Sequence, residues 1–321
     1  MGVNGRSRHD DRMVIYSSPF IPAEWIAAHG LVPCRRSFTG TAPDDVSLAG
    51  PVSREAGVCP YMRGFINEAV REPRVRAVIL TTTCDQMRRG ADLLTLHSAV
   101  PFFLMNIPSC FGTGSAEALY RSELDRLGLF LVSQGGSRVA SDRLGEILLE
   151  YEINRRMALV NASGRPAVVP GTGSERGVPV GFIGGPLAEG HLDIFDVFAG
   201  QGAEVIFNGT ESGDRVMPAR FDLRRIKSEP LKVLAESYFG AIPDIFERPN
   251  TRVFSWMEKA VQAGKVRGMV FIRYVWCDKW HSEVHRFREA LDIPLLDIEL
   301  DGACVNERVR NRIGAFMEGL K

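Results

Sequence analysis

The sequence predicts an α/β protein made of two similar halves, each a mostly parallel sheet with helices around it. Three observations carry this. Short apolar runs alternate with amphipathic stretches from about Met13 onward, a Cys-Asp unit recurs in matching surroundings, and a glycine- and proline-rich stretch separates the two copies. A length of 321 residues also exceeds most single cores and favours two domains.

In chain order, Ser18-Pro19-Phe20-Ile21-Pro22 is a turn that starts a helix over Glu24–Ala28, stopped at Gly30. Pro60 is placed to open a helix after Cys59. Val75–Leu80 reads as a strand, Asp85–Leu96 as a helix and Pro101–Met105 as the next strand. Glu117–Leu131 and Ser141–Val160 carry apolar positions three and four apart and read as helices. The stretch 162–179 is the expected linker, dividing an N-terminal domain, 1–161, from a C-terminal one, 180–321. Beyond it, Val180–Ile183 is a strand, Gly184-Gly185-Pro186 a turn, Leu187–Gln201 a helix and Glu204–Phe207 a strand.

The second half then repeats the first. Val266–Ile272 resembles Val75–Leu80, and each run leads to a Cys-Asp pair, Cys84-Asp85 or Cys277-Asp278. A helix follows, then a branched residue, a proline and an apolar strand. Cys84 and Pro101 are 17 positions apart, as are Cys277 and Pro294. Shared pair, spacing and element order indicate an internal duplication.

Composition narrows the function classes. The 39 basic and 39 acidic residues cancel, so bulk charge favours neither nucleic acid nor an anionic membrane. No apolar run has the length of a membrane span, the first residues lack an apolar signal core, and six cysteines are too sparse for a disulfide scaffold. A cytoplasmic protein is expected, with its cysteines used for metal, catalysis or packing. Gly184-Gly185-Pro186 lacks the G-x-G-x-x-G spacing, and its proline removes a backbone donor, so no nicotinamide site is read there.

In open parallel sheets ligands gather beyond the carboxyl ends of the strands. Cys84 and Cys277 both sit there, next to a helix start whose partial positive charge is expected to favour the thiolate. The aspartate after each is placed to cap its helix or accept a hydrogen bond. Cys59 lies in a third loop, between Gly57 and Pro60. Buried free cysteines are often plain core residues, but the repeat and the strand-end placement argue against that for Cys84 and Cys277. Structural zinc generally uses close C-x-x-C pairs and four protein ligands, neither of which is present. Three thiolates without a near fourth fit a four-iron cluster with one iron open to substrate. Cys34, Cys110 and Cys304 have weaker grounds, although Cys304 follows the last strand and Cys110 holds the matching place in the first half.

Several motifs, taken in order, resemble a known family. They are Pro22-Ala23-Glu24 with Gly30 and Pro33, Cys59-Pro60-Tyr61, Thr82-Thr83-Cys84-Asp85, Gly184-Gly185-Pro186-Leu187, Trp276-Cys277-Asp278, Ile298-Glu299-Leu300-Asp301 and Arg310–Phe316. From about Tyr16 to its end the chain resembles a subunit of the 2-hydroxyacyl-CoA dehydratase and benzoyl-CoA reductase family. The resemblance implies two flavodoxin- or Rossmann-like doubly wound domains with a [4Fe-4S] cluster between them, ligated by Cys59, Cys84 and Cys277. It implies a CoA thioester substrate, pairing with a related cluster-bearing subunit or a second copy, and single electrons from an ATP-dependent iron–sulfur activator protein. The thioester carbonyl then becomes a ketyl radical. Dehydratases expel the 2-hydroxyl from it, whereas ring reductases add electrons and protons to an aromatic ring.

Glu24 is the expected proton-handling residue, because a carboxyl near an apolar site has its pKa raised toward neutrality; the simpler alternative is stabilisation of its helix dipole. Ser17 and Ser18 are expected to hydrogen-bond substrate, or else to act as turn residues. Trp276, Trp280 and His281 flank the third cysteine and are expected to exclude water or simply to pack. The chain is shorter than typical members around Ala162–Val178. Three readings follow: a dehydratase subunit, a subunit of a benzoyl-CoA (aromatic acyl-CoA) reductase, and a non-catalytic electron-relay or redox iron–sulfur protein.

Overall fold

The computed structural model describes residues 12–36, 57–162, 177–301 and 305–321. Two four-stranded sheets, parallel throughout, are flanked by helices. The first half holds β1 (Met13–Tyr16), α1 (Ala23–Ala28), β2 (Val32–Arg35), α2 (Pro60–Arg71), β3 (Val75–Thr81), α3 (Asp85–His97), β4 (Phe102–Met105), α4 (Gly114–Ser133) and α5 (Ser141–Ala162). The second holds β5 (Val178–Gly184), α6 (Asp193–Gly200), β6 (Ala203–Gly209), α7 (Pro230–Tyr238), α8 (Thr251–Gly264), β7 (Gly268–Tyr274), α9 (Asp278–His281), α10 (Val284–Glu289), β8 (Leu295–Leu300) and α11 (Glu307–Leu320).

The strand orders are β2-β1-β3-β4 and β6-β5-β7-β8, the same winding twice. The duplication read from the cysteine units is therefore present in the topology. In both sheets the central strands are nearly continuous apolar runs, as strands covered on both faces require. Ala77, Val78, Ile79 and Leu80 of β3 and Met269 through Ile272 of β7 are fully buried. Arg273 sits in the same buried strand because Asp297 and Glu299 on neighbouring β8 neutralise it.

One expected helix is broken. Leu187–Gln201 is a turn, a short 3₁₀ segment over Glu189–His191 and then α6. The interruption turns His191 inward, where its Nδ1 lies 2.8 Å from the Tyr274 hydroxyl.

Residues 210–250, between β6 and α8, reach back across the first half. Val216, Phe221, Val233, Leu234 and Phe239 join the core under α1, α4 and α5. A second core is also shared, with α2, α3 and the face of the first sheet packed together with Val180, Phe182 and Val270 of the second. The halves are thus continuous through their cores, and the strand ends of both face a common space.

Candidate functional site

Each of the three cysteines occupies the N-cap position of a helix: Cys59 of α2, Cys84 of α3 and Cys277 of α9. Backbone geometry at two of these loops is tightly specified. Gly184 has φ +153°, and a Cβ there would stand 2.0 Å from the Ile272 carbonyl oxygen, so only glycine lets β5 end against β7. Trp276, just before Cys277, adopts φ +61°, a left-handed conformation rare for a bulky residue. Strain of this kind, costing about 1–3 kcal/mol, is found mainly where function requires it.

The cysteines converge. All three line one small, largely apolar chamber between the halves, closed by Tyr61, Met87, Tyr274 and Trp280. Gln86 ties two of the loops together, its side-chain oxygen accepting the Cys59 backbone N–H at 2.6 Å. The Met62 N–H donates to Cys59 Sγ at 3.4 Å. The rings of Tyr61 and Tyr274, one from each half, meet with centroids 5.8 Å apart.

The helix-start argument for easy ionisation does not survive burial. Desolvation pushes all three thiols above the ordinary thiol range, Cys277 to about 12, and each is raised further by another cysteine or a nearby carboxylate. Nearby backbone N–H groups and Lys279 pull the other way without winning. A thiol buried in this way keeps its proton unless a bound cation takes the proton's place. Among the described residues, no three His, Cys, Asp or Glu side chains stand close enough to hold a single metal ion. The thiols ring the chamber instead of meeting at a point.

A charged network that sequence reasoning missed forms one wall. Lys279 Nζ lies 2.8 Å from Asp244 Oδ1 and 3.2 Å from Glu211 Oε1. Asp244 also binds Arg215 at 3.0 Å, and the Arg215 guanidinium covers the Trp280 ring. Burial alone would raise the Asp244 carboxyl, but the two cations overcome it and hold the group down to about 2. Burial would likewise lower Lys279, yet the two carboxylates keep it protonated. Outside the chamber, a cleft of about 530 Å³ opens to solvent past Cys84, Trp276 and Lys279, with Arg88 and Arg248 on its walls.

The other expected site residues lie elsewhere. Glu24 is buried, with Arg155 at 2.7 Å from Oε1 and the Tyr238 hydroxyl donating to Oε2 at 2.7 Å. Burial raises its pKa, against the pull of both partners. It lines neither the chamber nor the cleft. Ser17 is buried beside Tyr61, and its carbonyl accepts from Arg35, whose other nitrogen reaches the Glu211 carbonyl across the halves at 2.7 Å. Ser18 acts within its own turn, accepting the Phe20 N–H at 3.4 Å. Asp85 and Asp278 are the first residues of their helices rather than the caps. Trp280 is fully buried with its Nε1 donating to Glu211, Trp276 is half exposed at the cleft and His281 faces solvent. Cys34 accepts from Arg36, Cys110 is exposed, and Cys304 lies outside the described residues.

Two duplicated parallel sheets with cysteines gathered at their strand ends define a duplicated α/β protein with a buried thiol chamber. A family model described as 2-hydroxyglutaryl-CoA dehydratase, D-component, matches residues 19–163 and again residues 159–320. The chain belongs to that family, and the double match coincides with the duplication. No curated protein matches it. Among the described residues, no helix is long and apolar enough to cross a membrane.

Proposed function

We propose that the chain is the iron–sulfur subunit of a 2-hydroxyacyl-CoA dehydratase-type enzyme, with a [4Fe-4S] cluster held by Cys59, Cys84 and Cys277. The observation that carries this is the convergence of three thiols, from three helix N-caps in two halves, on one water-poor chamber. The donor set fits the group. Thiolates on separate irons of a cluster stand further apart than ligands of one ion, three of them leave one iron open, and burial lowers solvent exposure of the kind that sets cluster potential. When bound, the cluster supplies single electrons at low potential to the thioester carbonyl.

The chain's own residues then have distinct tasks. Tyr61, Tyr274 and Trp280 keep water from the chamber, and Gln86 holds the Cys59 loop against α3. The cleft past Trp276 is the open approach for a CoA thioester, and Arg88 and Arg248 supply positive charge along it. Glu24 lies away from the chamber and cleft, so its proposed role as proton holder is at a distance through its buried pair with Arg155 and Tyr238, supported by its burial and raised pKa. Ser17, just after β1 and buried beside the chamber-lining Tyr61, is the proposed polar contact to substrate; Ser18 supports its turn. Partners in this reading are a related cluster-bearing subunit or a second copy, and an ATP-dependent iron–sulfur activator.

Anaerobic purification with iron and sulfide analysis tests the reading. About four irons per chain are expected, lost in C59S, C84S and C277S but kept in C34S and C110S. Fewer than about three irons, with zinc in their place, defeats it. Turnover of a 2-hydroxyacyl-CoA rather than benzoyl-CoA, in the presence of partner subunit and activator, then separates dehydration from ring reduction.

A further inference from the structure

The wall formed by Lys279, Glu211 and Asp244 is costlier than packing needs. Burying charges is expensive even when they are paired, and a buried ion pair is often replaceable by apolar residues without loss of stability. Here the pair also faces the thiols. Lys279 and Glu211 both line the chamber, and Lys279 lines the outer cleft as well. A fixed cation and a fixed anion thus share the chamber wall with Cys84 and Cys277, and charges of opposite sign act oppositely on any negative charge gathered there.

Their positions are held from several sides. Lys279 is fixed by Asp244, which Arg215 holds in turn. Glu211 Oε1 receives Lys279 and the Trp280 indole N–H at 3.3 Å, while its backbone carbonyl accepts from Arg35. Both side chains are tethered by these partners, which hold the two charges on the chamber wall.

We infer that Lys279 and Glu211 are opposed positioning residues that set how readily the cysteine-bound group accepts an electron; the inference rests on the cluster reading above. In that step the site gains one electron from a one-electron reductant, no bond forms or breaks, and its net charge falls by one. A fixed cation beside it eases this gain and a fixed anion resists it. Removing the cation therefore lowers the potential, and removing the anion raises it. A wall that only packs predicts no such opposition.

The test uses the full chain, reconstituted anaerobically as wild type, K279M, K279R and E211Q. Iron and sulfide are assayed, and reduction is followed by electron paramagnetic resonance during a mediated dithionite titration. K279M is expected to be at least tenfold harder to reduce and E211Q at least tenfold easier, each about 59 mV for a one-electron couple. K279R stays near wild type. E211Q keeps an oxygen for both Lys279 and Trp280, so its upward shift decides the matter even where K279M fails to fold. Filled clusters whose potentials do not move, or move in the same direction in K279M and E211Q, overturn the inference and leave the cluster reading intact. A wild-type chain that takes up no iron overturns both.

Discussion

Replacing Asp244 by asparagine isolates the energetic role of the charged wall. The carboxylate is fully buried and accepts from Lys279, Arg215 and the Phe246 N–H. Its pKa is depressed from an ordinary 3.8 to about 2. A depressed carboxyl contributes stability that is present above its unfolded value and is lost as pH falls through the folded value. At about 1.4 kcal/mol per unit, the shift corresponds to about 2–3 kcal/mol at neutral pH, the lower end of what breaking a buried pair costs, about 3–5 kcal/mol. About 1 kcal/mol of it disappears between pH 5 and pH 3. That window lies below Glu247, whose burial raises it to about 7. Urea unfolding of both chains at pH 5, 4 and 3, followed by circular dichroism, measures the gap. Wild type starts ahead by about 2 kcal/mol and the lead shrinks by about half. Parallel pH profiles with a constant gap refute the assignment of the depressed pKa to Asp244.

Further outcomes follow from single contacts. Y238F removes the hydroxyl that donates to the buried Glu24 carboxylate and is expected to cost about 1.5–3 kcal/mol, read from the urea midpoint. G184A sets a methyl against the Ile272 carbonyl oxygen at an untenable 2.0 Å; the variant is expected to be recovered mostly insoluble, and wild-type yield and melting temperature contradict that. W276N relieves the left-handed strain beside Cys277 and is expected to raise stability by about 1 kcal/mol while lowering turnover, so unchanged activity removes Trp276 from the cleft's function. E24Q breaks the buried pair with Arg155 and is expected to lower the urea midpoint while iron content stays and turnover is lost, which urea unfolding, iron analysis and the acyl-CoA assay check together.

The architecture was legible where its signals are local. Strands buried on both faces appear as apolar runs such as Val75–Leu80 and Val266–Ile272, and the Cys-Asp units mark the strand ends in both halves. Residues 210–250 gave no such signal, because Phe221, Val233 and Phe239 are apolar for the sake of a core in the other half. The split of Leu187–Gln201 depends on a long-range partner, Tyr274, that spacing does not reveal. Lys279 stands two positions after Cys277, but a lysine in a first helical turn reads as solvated; only tertiary folding brings Glu211 and Asp244 against it. The thiol pKa was misjudged for the same reason, since the helix start is a local feature and burial is not.

Duplication accounts for two of the chamber's cysteines, and divergence for the third. Cys84 and Cys277 cap the helices that follow equivalent central strands, β3 and β7. Cys59 caps α2, the helix preceding β3, whereas α8, preceding β7, has Asn250 at its cap, and that side chain accepts from Arg286 instead. The first strands differ in the same way. β1 runs into Ser17 and Ser18, while β5 runs into Gly184 and Gly185, and the absence of a side chain at Gly185 leaves the space in which Trp280 packs. A Cβ on Gly185 would press against the Trp280 ring at 3.1 Å. The second half has thereby filled its strand end with an indole and a bound glutamate, and the first has supplied two thiols and a polar turn. A cysteine in place of Asn250 would make the halves symmetric with four thiols; the asymmetry leaves three, the donor count that the proposed cluster with one open iron would take.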